Sequence, residues 1–387
     1  MIRVLTLSTL FPDAARPGFG GFVERQTRAL AAREGVSVRV VVPRGIPPAL
    51  SGLQRYAAIA ALPEREQRGG LQIYRPRFPT LPGPGARFSS RLLARSLLPL
   101  LREIRRDFPF DVIDAEFFWP DGPAAVAVGR ALGVPVSIKA RGSDIAYWGQ
   151  RSGCGDQIVK AGRAAGGLLA VSGALRQEMI ALGLPADRIA IHYTGVDLES
   201  FRPGDRSVLK AARGVSGPLF VSVGNLVEQK GHRTAIAAVA RMPGATLLIA
   251  GGGPDEPVLR RLIDTLGVAD RVRLLGRQPH AALPDLFAAA DALVLPTAGE
   301  GLANVWIEAM ACGTPVVTTD VGGAREAIDR PAAGRLVPAE PEPIVAALQS
   351  ILADPPGPAA VRASAERFTW ARNSDALEAH LRRVAAR

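Results

Sequence analysis

Apolar residues recur along this chain in short runs, each closed by glycine or proline and followed by a stretch with helical spacing. The first run, residues 2–9, leads into a loop over 11–21 that holds Gly20 and Gly21. Residues 22–33 then carry a helical pattern, and 37–42 read as the next strand. Strand, glycine loop, helix and strand in that order predict a parallel sheet with helices on its faces. Further strand-like runs follow at 71–74, 111–115, 135–139 and 167–171, and Ser172 is placed to cap the helix after the last of them. Apart from 71–74, residues 43–86 read as irregular, being rich in proline, glycine and arginine. A second series of runs occupies 219–223, 246–250, 271–275, 291–295 and 316–317. Residues 304–311 read as a helix that Gly313 ends, with Pro315 opening the next strand. Between the series, residues 202–217 are polar and glycine-rich and read as a linker. A chain of 387 residues is long enough for two full cores. The expected fold class is therefore α/β, with doubly wound Rossmann-like domains at 1–200 and 218–365.

One segment departs from this rhythm. Residues 87–106 hold Leu92, Leu93, Leu97, Leu98, Leu100, Leu101 and Ile104, with six arginines (Arg87, Arg91, Arg95, Arg102, Arg105, Arg106) against one acid, Glu103. The pattern predicts an amphipathic basic helix kinked at Pro99. Two readings stand: leucines packed on the core with solvated arginines, or arginines resting on anionic lipid headgroups or a lipid-linked phosphate. Nucleic acid is not expected as a partner, since aromatic interleaving and a recognition motif are missing.

Charge sharpens the asymmetry. The chain carries a net +11, with 26 Lys/Arg against 17 Asp/Glu in residues 1–200 and 21 against 19 in 201–387. An anionic partner on the N-terminal side is the implication. A hydrophobic content of 48% argues against disorder, and the longest apolar runs fall well short of a membrane span. The first residues lack the layout of a signal peptide. Cys154 and Cys312, the only cysteines, suggest neither a disulfide framework nor a metal cluster. A cytoplasmic protein is expected.

The densest candidate chemistry follows the run at 291–295. Pro296, Thr297 and Gly299 break the strand, and Glu300-Gly301-Leu302-Ala303-Asn304 leads into a helix carrying Glu308. Free N–H groups at such a helix start suit an anion. In a continuous helix the two glutamates would stand about 12 Å apart. A retaining glycosidase needs its carboxylates about 5 Å apart, so the pair is better suited to gripping two ends of one ligand through its hydroxyls. The other reading is two surface charges.

Taken with Ala309-Met310-Ala311-Cys312-Gly313-Thr314-Pro315-Val316-Val317 and Gly322-Gly323-Ala324-Arg325-Glu326, this stretch resembles glycosyltransferase family 4, the retaining GT-B enzymes that use nucleotide sugars. Gly224-Asn225-Leu-Val-Glu-Gln-Lys230-Gly231 resembles that family's pyrophosphate-holding turn, with Asn225 where an arginine is usual. The resemblance implies a GT-B fold: two Rossmann-like domains facing a cleft, with a C-terminal helix over 366–387 returning to the first. It implies Lys230, with the helix-start amides of Gly301, Leu302, Ala303 and Asn304, stabilising the leaving diphosphate. Glu308 would hold ribose hydroxyls, Glu300 the donor sugar, and the turn at Arg277 and Gln278 the base. From the first domain, Gly20, Gly21, Arg141 and Asp144 would line the site. Arg141 stands where the family commonly has histidine, and an ion pair with Asp144 is its alternative reading. His192 reads as a strand residue. The donor phosphate would take the acceptor proton, so no protein nucleophile is required. No metal or other cofactor is expected, because the Asp-x-Asp motif of metal-dependent glycosyltransferases is missing.

The opening Leu-Ser-Thr-Leu-Phe-Pro, the Pro-Gly-Phe-Gly-Gly-Phe-Val-Glu turn and Arg141-Gly142-Ser143-Asp144-Ile145 resemble bacterial exopolysaccharide and teichuronic-acid enzymes. They imply a glycan or lipid-linked acceptor, cell-surface polysaccharide synthesis, and peripheral attachment at the inner face of the membrane through 87–106. Two alternatives stay open: a GT-B nucleotide-sugar epimerase or hydrolase, and a non-enzymatic protein that binds anionic membranes.

Overall fold

The structure, a computed structural model, describes residues 1–50 and 52–387. The chain divides into two compact units, one formed by Met1–Thr194 with Trp370–Arg387 and the other by Gly195–Thr369.

In the first unit the strands are β1 (Ile2–Leu7), β2 (Val36–Val41), β3 (Arg44–Ile46), β4 (Arg65–Arg68), β5 (Leu71–Tyr74), β6 (Arg77–Pro79), β7 (Val112–Ala115), β8 (Val136–Ala140), β9 (Gly167–Ala170) and β10 (Ile189–Ile191). Eight of them form one sheet in the order β10-β9-β8-β7-β1-β2-β5-β4, and β3 pairs with β6 separately. All pairs are parallel except β4 with β5. Strands β7, β8 and β9 are buried along their whole length, as a parallel sheet covered on both faces requires. The C-terminal helix Trp370–Ala385 belongs to this unit. It inserts Leu377, Leu381 and Val384 among Ile2, Val4, Leu30, Val112 and Leu169.

The second unit holds β11 (Leu219–Val223), β12 (Thr246–Ala250), β13 (Val272–Gly276), β14 (Ala292–Leu295), β15 (Val316–Thr318) and β16 (Gly334–Leu336). They form an all-parallel sheet in the order β13-β12-β11-β14-β15-β16. Its core joins Phe220, Leu247, Ile249, Val294 and Val317 to helix residues such as Ile236, Val239, Ile344 and Leu348.

Ser172 does cap its helix, accepting a hydrogen bond from the Leu175 amide at 3.1 Å. The expected basic helix is present over Ser89–Asp107, with Pro99 inside it. Two expectations need correcting. The stretch read as a linker contains a helix, Arg206–Ala211, started by Asp205, whose carboxylate accepts from the Ser207 and Val208 amides. Lys210 then anchors it to Asp291 at 2.5 Å. The stretch read as irregular holds β3, β4 and β6, because buried Arg44 stitches it together. Its guanidinium donates to the carbonyls of Arg75, Leu62 and Ile59 at 2.6 to 3.0 Å. Among the described residues, no helix is long and apolar enough to cross a membrane.

Candidate active site

In an open parallel sheet, ligands settle beyond the carboxyl ends of the strands where the strand order reverses. In the second unit the reversal lies between β11 and β14. Beyond β11 come Gly224 and exposed Asn225, then Lys230 at the end of a short turn, Glu228–Lys230. Beyond β14 comes the loop to Glu300, which is tied to the β11 side. The Ala298 amide and the Thr297 hydroxyl both donate to the Gln229 carbonyl, at 2.7 and 2.9 Å, and Gln229 Nε2 donates to the Gly299 carbonyl at 2.9 Å. This brings the Lys230 ammonium against Glu300 Oε1 in an ion pair. Thr297 Oγ1 also lies 3.2 Å from that oxygen, so its single hydrogen can turn to either acceptor.

The chain past Glu300 is held from below. Gly322 has φ +50, and a Cβ there would stand 1.7 Å from the Glu300 carbonyl oxygen. Only glycine allows that approach. Gly301, Leu302 and Ala303 are buried, and the helix Asn304–Ala311 starts with no side-chain cap among the described residues. One turn inside, buried Glu308 meets His280, whose Nε2 lies 2.9 Å from its Oε1. The His280 ring packs edge-on against Phe201 at 5.1 Å. Arg277 lies over the turn after β12, with Nη2 3.5 Å from the Gly252 carbonyl, while exposed Gln278 bonds back to the Leu275 carbonyl at 2.7 Å. Behind Asn225, His232 Nε2 is 3.2 Å from the Asn225 carbonyl. Burial pushes that imidazole down to about 4.

In the first unit the order reverses between β1 and β7. Gly20, at φ +68, precedes the helix Gly21–Ala31, and a Cβ there would meet the Leu10 carbonyl carbon at 2.5 Å. Glu116 follows β7 and Arg141 follows β8. Arg141 does not pair with Asp144. Its guanidinium forms an ion pair with fully buried Glu116, donates through Nε to the Glu116 carbonyl at 3.3 Å, and lies 4.9 Å over the Phe22 ring. Asp144 is instead occupied with backbone, accepting from the amides of Phe118, Arg141 and Gly142 at 2.8 to 3.1 Å. Burial raises its pKa, against those amide bonds. Burial also opposes ionisation of Glu116, but Arg141 and Lys139 outweigh it and hold this carboxyl at about 2.

Residues 18–200 match the family described as Glycosyltransferase Family 4, and residues 210–368 match Glycosyl transferases group 1. Over 225 residues the chain is 37% identical to the D-inositol 3-phosphate glycosyltransferases of Mycobacterium tuberculosis and Mycobacterium bovis. That match takes in 54% of this chain and 46% of theirs, so the chain spans about half the length of these curated relatives. In fold it is similar to sucrose-phosphate synthase from Thermosynechococcus elongatus, with a TM-score of 0.79 and 21% identity over all of both chains. It is also similar to HepE of Anabaena in complex with UDP-glucose, with a TM-score of 0.74 and 20% identity over 99% of this chain and 100% of that one. The chain belongs to the group 1/family 4 glycosyltransferases, with the GT-B fold.

The structure adds residues that motif reading passed over. His280 sits on an exposed turn between β13 and the helix Leu283–Ala289, with nothing in the neighbouring sequence to distinguish it from a surface histidine. Thr297 was visible only as a residue breaking a strand. Glu116 and Lys139 lie among mostly apolar residues in the sequence, and a charged residue inside a buried strand, such as Lys139 in β8, was the available signal, whereas Gln26 sits between Arg25 and Thr27 like any exposed helix residue. Among the described residues, no group of three or more His, Cys, Asp and Glu is arranged to hold a metal ion.

Proposed function

We propose that this glycosyltransferase moves a sugar from a nucleotide diphosphate sugar to a glycan or lipid-linked acceptor, with retention at the anomeric carbon, in cell-surface polysaccharide synthesis. The observation that carries the reading is the convergence of Lys230, Glu300 and an uncapped helix start at the switch point of the second unit. A cation beside free helix N–H groups suits a diphosphate. HepE, of the same fold, was solved with UDP and with UDP-glucose, which supports the donor class.

In this proposal Lys230, Asn225 and the amides of residues 301–304 take the diphosphate, Glu308 the ribose hydroxyls, and Glu300 the sugar hydroxyls. The turn at Arg277 and Gln278 takes the base. The acceptor oxygen bonds to the anomeric carbon as the bond from that carbon to the diphosphate oxygen breaks, and the leaving phosphate oxygen takes the acceptor proton. Fixed positive charge at the leaving group supplies most of the rate. Gly20, Gly21 and Arg141 serve the sugar and acceptor, with Asp144 bracing the turn that carries Arg141.

The same proposal places the basic helix on an anionic bilayer at the inner face of the membrane. Leu93, Leu97, Leu101 and Ile104 are buried, so the leucines do pack on the core. Both acids of the helix are occupied: Glu103 pairs with Arg65 at 2.6 Å and Asp107 with Arg39 at 3.0 Å. Exposed Arg91, Arg95, Arg102 and Arg106 have no ion-pair partner among the described residues. Such a stripe suits anionic headgroups.

The test is thermal stabilisation by a panel of nucleotide sugars, beside Lys230→Ala and Glu308→Ala. Selective stabilisation by one sugar, lost in both variants, is the expected result. No stabilisation by any of them, with the variants matching wild type, would remove the donor site. Release of nucleoside diphosphate at an undiminished rate without any acceptor would favour a hydrolase or epimerase.

A further inference from the structure

We propose that Glu116, backed by Gln26 and Lys139, is a positioning residue that sets the direction of the Arg141 guanidinium at the switch point of the first unit. The inference rests on the role given above to Arg141.

The argument begins at the C-terminal helix. His192 Nε2 lies 2.8 Å from the carbonyl of Asn373, which can only accept, so Nε2 carries the hydrogen. In the neutral ring Nδ1 is then an acceptor, and it faces Lys139 Nζ at 2.5 Å. Lys139 also donates to Gln26 Oε1. That fixes the Gln26 amide, whose Nε2 must donate to Glu116 Oε1. Glu116 Oε2 receives Arg141. One assignment of hydrogens satisfies every link. Reversing the Gln26 amide would set its NH2 against Lys139 and its oxygen against a carboxylate.

All the links behind Arg141 are buried: Gln26 and Glu116 are 1% and 0% exposed, Lys139 and His192 0% and 2%. The electrostatics agree with the hydrogen assignment. Burial and Lys139 push His192 well below its usual value, keeping the ring neutral. Burial, then Arg141, lowers Lys139 to about 7, against the pull of Glu116 and Asp114. Burial, then Glu116, raises the neighbouring Asp114 carboxyl well above its usual value, so Glu116 carries the negative charge of the two.

A buried ion pair of this kind is a poor way to gain stability, because desolvation offsets the attraction. What it does supply is direction. Arg141 has Nε and Nη2 committed to Glu116 and a ring face under its guanidinium. Its Nη1 has no partner among the described residues. With a flexible side chain this donor would sweep a wide arc. Pinned by Glu116, it is presented in one direction, so that a substrate oxygen meets a prearranged N–H.

The experiment exchanges the two groups. Glu116→Gln can accept at only one oxygen, so it must give up either Gln26 or Arg141. Gln26→Glu puts two carboxylates in contact. The double variant Gln26→Glu/Glu116→Gln restores every link: Glu accepts from Lys139 and from the new amide, whose oxygen accepts from Arg141. Crystal structures of the three variants read the Arg141 orientation directly. Release of UDP from UDP-glucose reads its consequence. We expect the Glu116→Gln variant to show Arg141 turned or disordered on an unmoved backbone, with kcat down ~10–100-fold. The KM for UDP-glucose should stay within about threefold, because Lys230 and Glu308 are untouched. The double variant should recover both orientation and rate. Arg141 unmoved in Glu116→Gln, or no recovery of orientation in a folded double variant, overturns the proposal. If Arg141→Ala costs nothing, or UDP-glucose is not turned over, the role assigned to Arg141 falls, while the crystal structures still decide what positions it.

Discussion

Lys230 and Glu300 stand 70 residues apart in the chain and meet as an ion pair where the second sheet reverses its strand order. Their side chains are 22% and 13% exposed, so the pair is partly withdrawn from water but open to a ligand. A diphosphate arriving there would take over the ammonium and release Glu300 toward hydroxyls. Lys230→Ala should therefore weaken binding of UDP-glucose by ~10–100-fold, the cost of a charge-assisted hydrogen bond. Isothermal titration measures it. Unchanged affinity would take Lys230 out of the anion site.

Glu308 is held differently. His280 lies 28 residues before it and reaches back to its Oε1 at 2.9 Å. Phe201 fixes the imidazole from the side. Removing the ring in His280→Ala takes away one of the contacts that set the carboxylate, without touching a proposed donor contact. The expected loss of UDP-glucose affinity is about three- to tenfold, less than a direct contact would cost, because the carboxylate stays and loses only one of its anchors. Glu308→Gln should lose more, since the carboxylate itself would be gone. Equal affinities for wild type and His280→Ala would leave the histidine a bystander.

How much of this was legible beforehand depended on whether the signal was local. Strand runs, glycine breaks and the Ser172 cap are read within a few residues, and they led to an α/β chain with two doubly wound sheets. Lys230, Glu300 and Glu308 carried motif signals. The partners that orient them did not, because His280–Glu308 and Glu116–Arg141 are contacts across 28 and 25 residues between elements whose separate patterns look ordinary. Arg141 illustrates the limit: Asp144, three residues on, was the partner that sequence proximity suggested. Asp144 is spent on backbone amides, and the guanidinium turns to a glutamate just past the end of the neighbouring strand. Arg44 misled in the opposite direction. An arginine among prolines and glycines reads as exposed loop, yet it is 2% exposed and bonded to three carbonyl groups that shape its neighbourhood.

Gly322 offers a steric test of the same site. A Cβ there would fall 1.7 Å from the Glu300 oxygen and 2.8 Å from its carbon, both backbone atoms with no cheap way to move. Gly70 is a matched control, with φ +81 but nothing within 4 Å of a Cβ. Gly70→Ala should cost about 1 kcal/mol, the price of a left-handed backbone. Gly322→Ala should cost about 2–4 kcal/mol and displace Glu300, so that the nucleotide sugar that stabilises wild type gives a smaller rise in Tm or none. Equal Tm losses in the two variants would mean that the loop at Glu300 yields.

Acid should loosen the first unit through its C-terminal helix. His380 lies 5% exposed on that helix, 3.1 Å from Ser137 Oγ on β8, and burial pushes its imidazole down to about 4. In the unfolded chain the ring titrates near 6.5. Above that pH both states hold it neutral and it has no effect. As pH falls from 6.5 toward 4 the unfolded state takes up a proton that the folded state refuses, and stability falls by on the order of 3 kcal/mol. Asp121 acts the other way. Burial raises its carboxyl to about 7, so the folded state gains the proton first and stability rises on acidification. The two contributions overlap in wild type and are separated by difference. His380→Gln keeps a polar group for Ser137 but cannot titrate. Its Tm should be lower than that of wild type at pH 7.5, where the better-packed ring wins, and the gap should close or reverse by pH 5. A gap independent of pH would show that His380 does not supply the acid sensitivity.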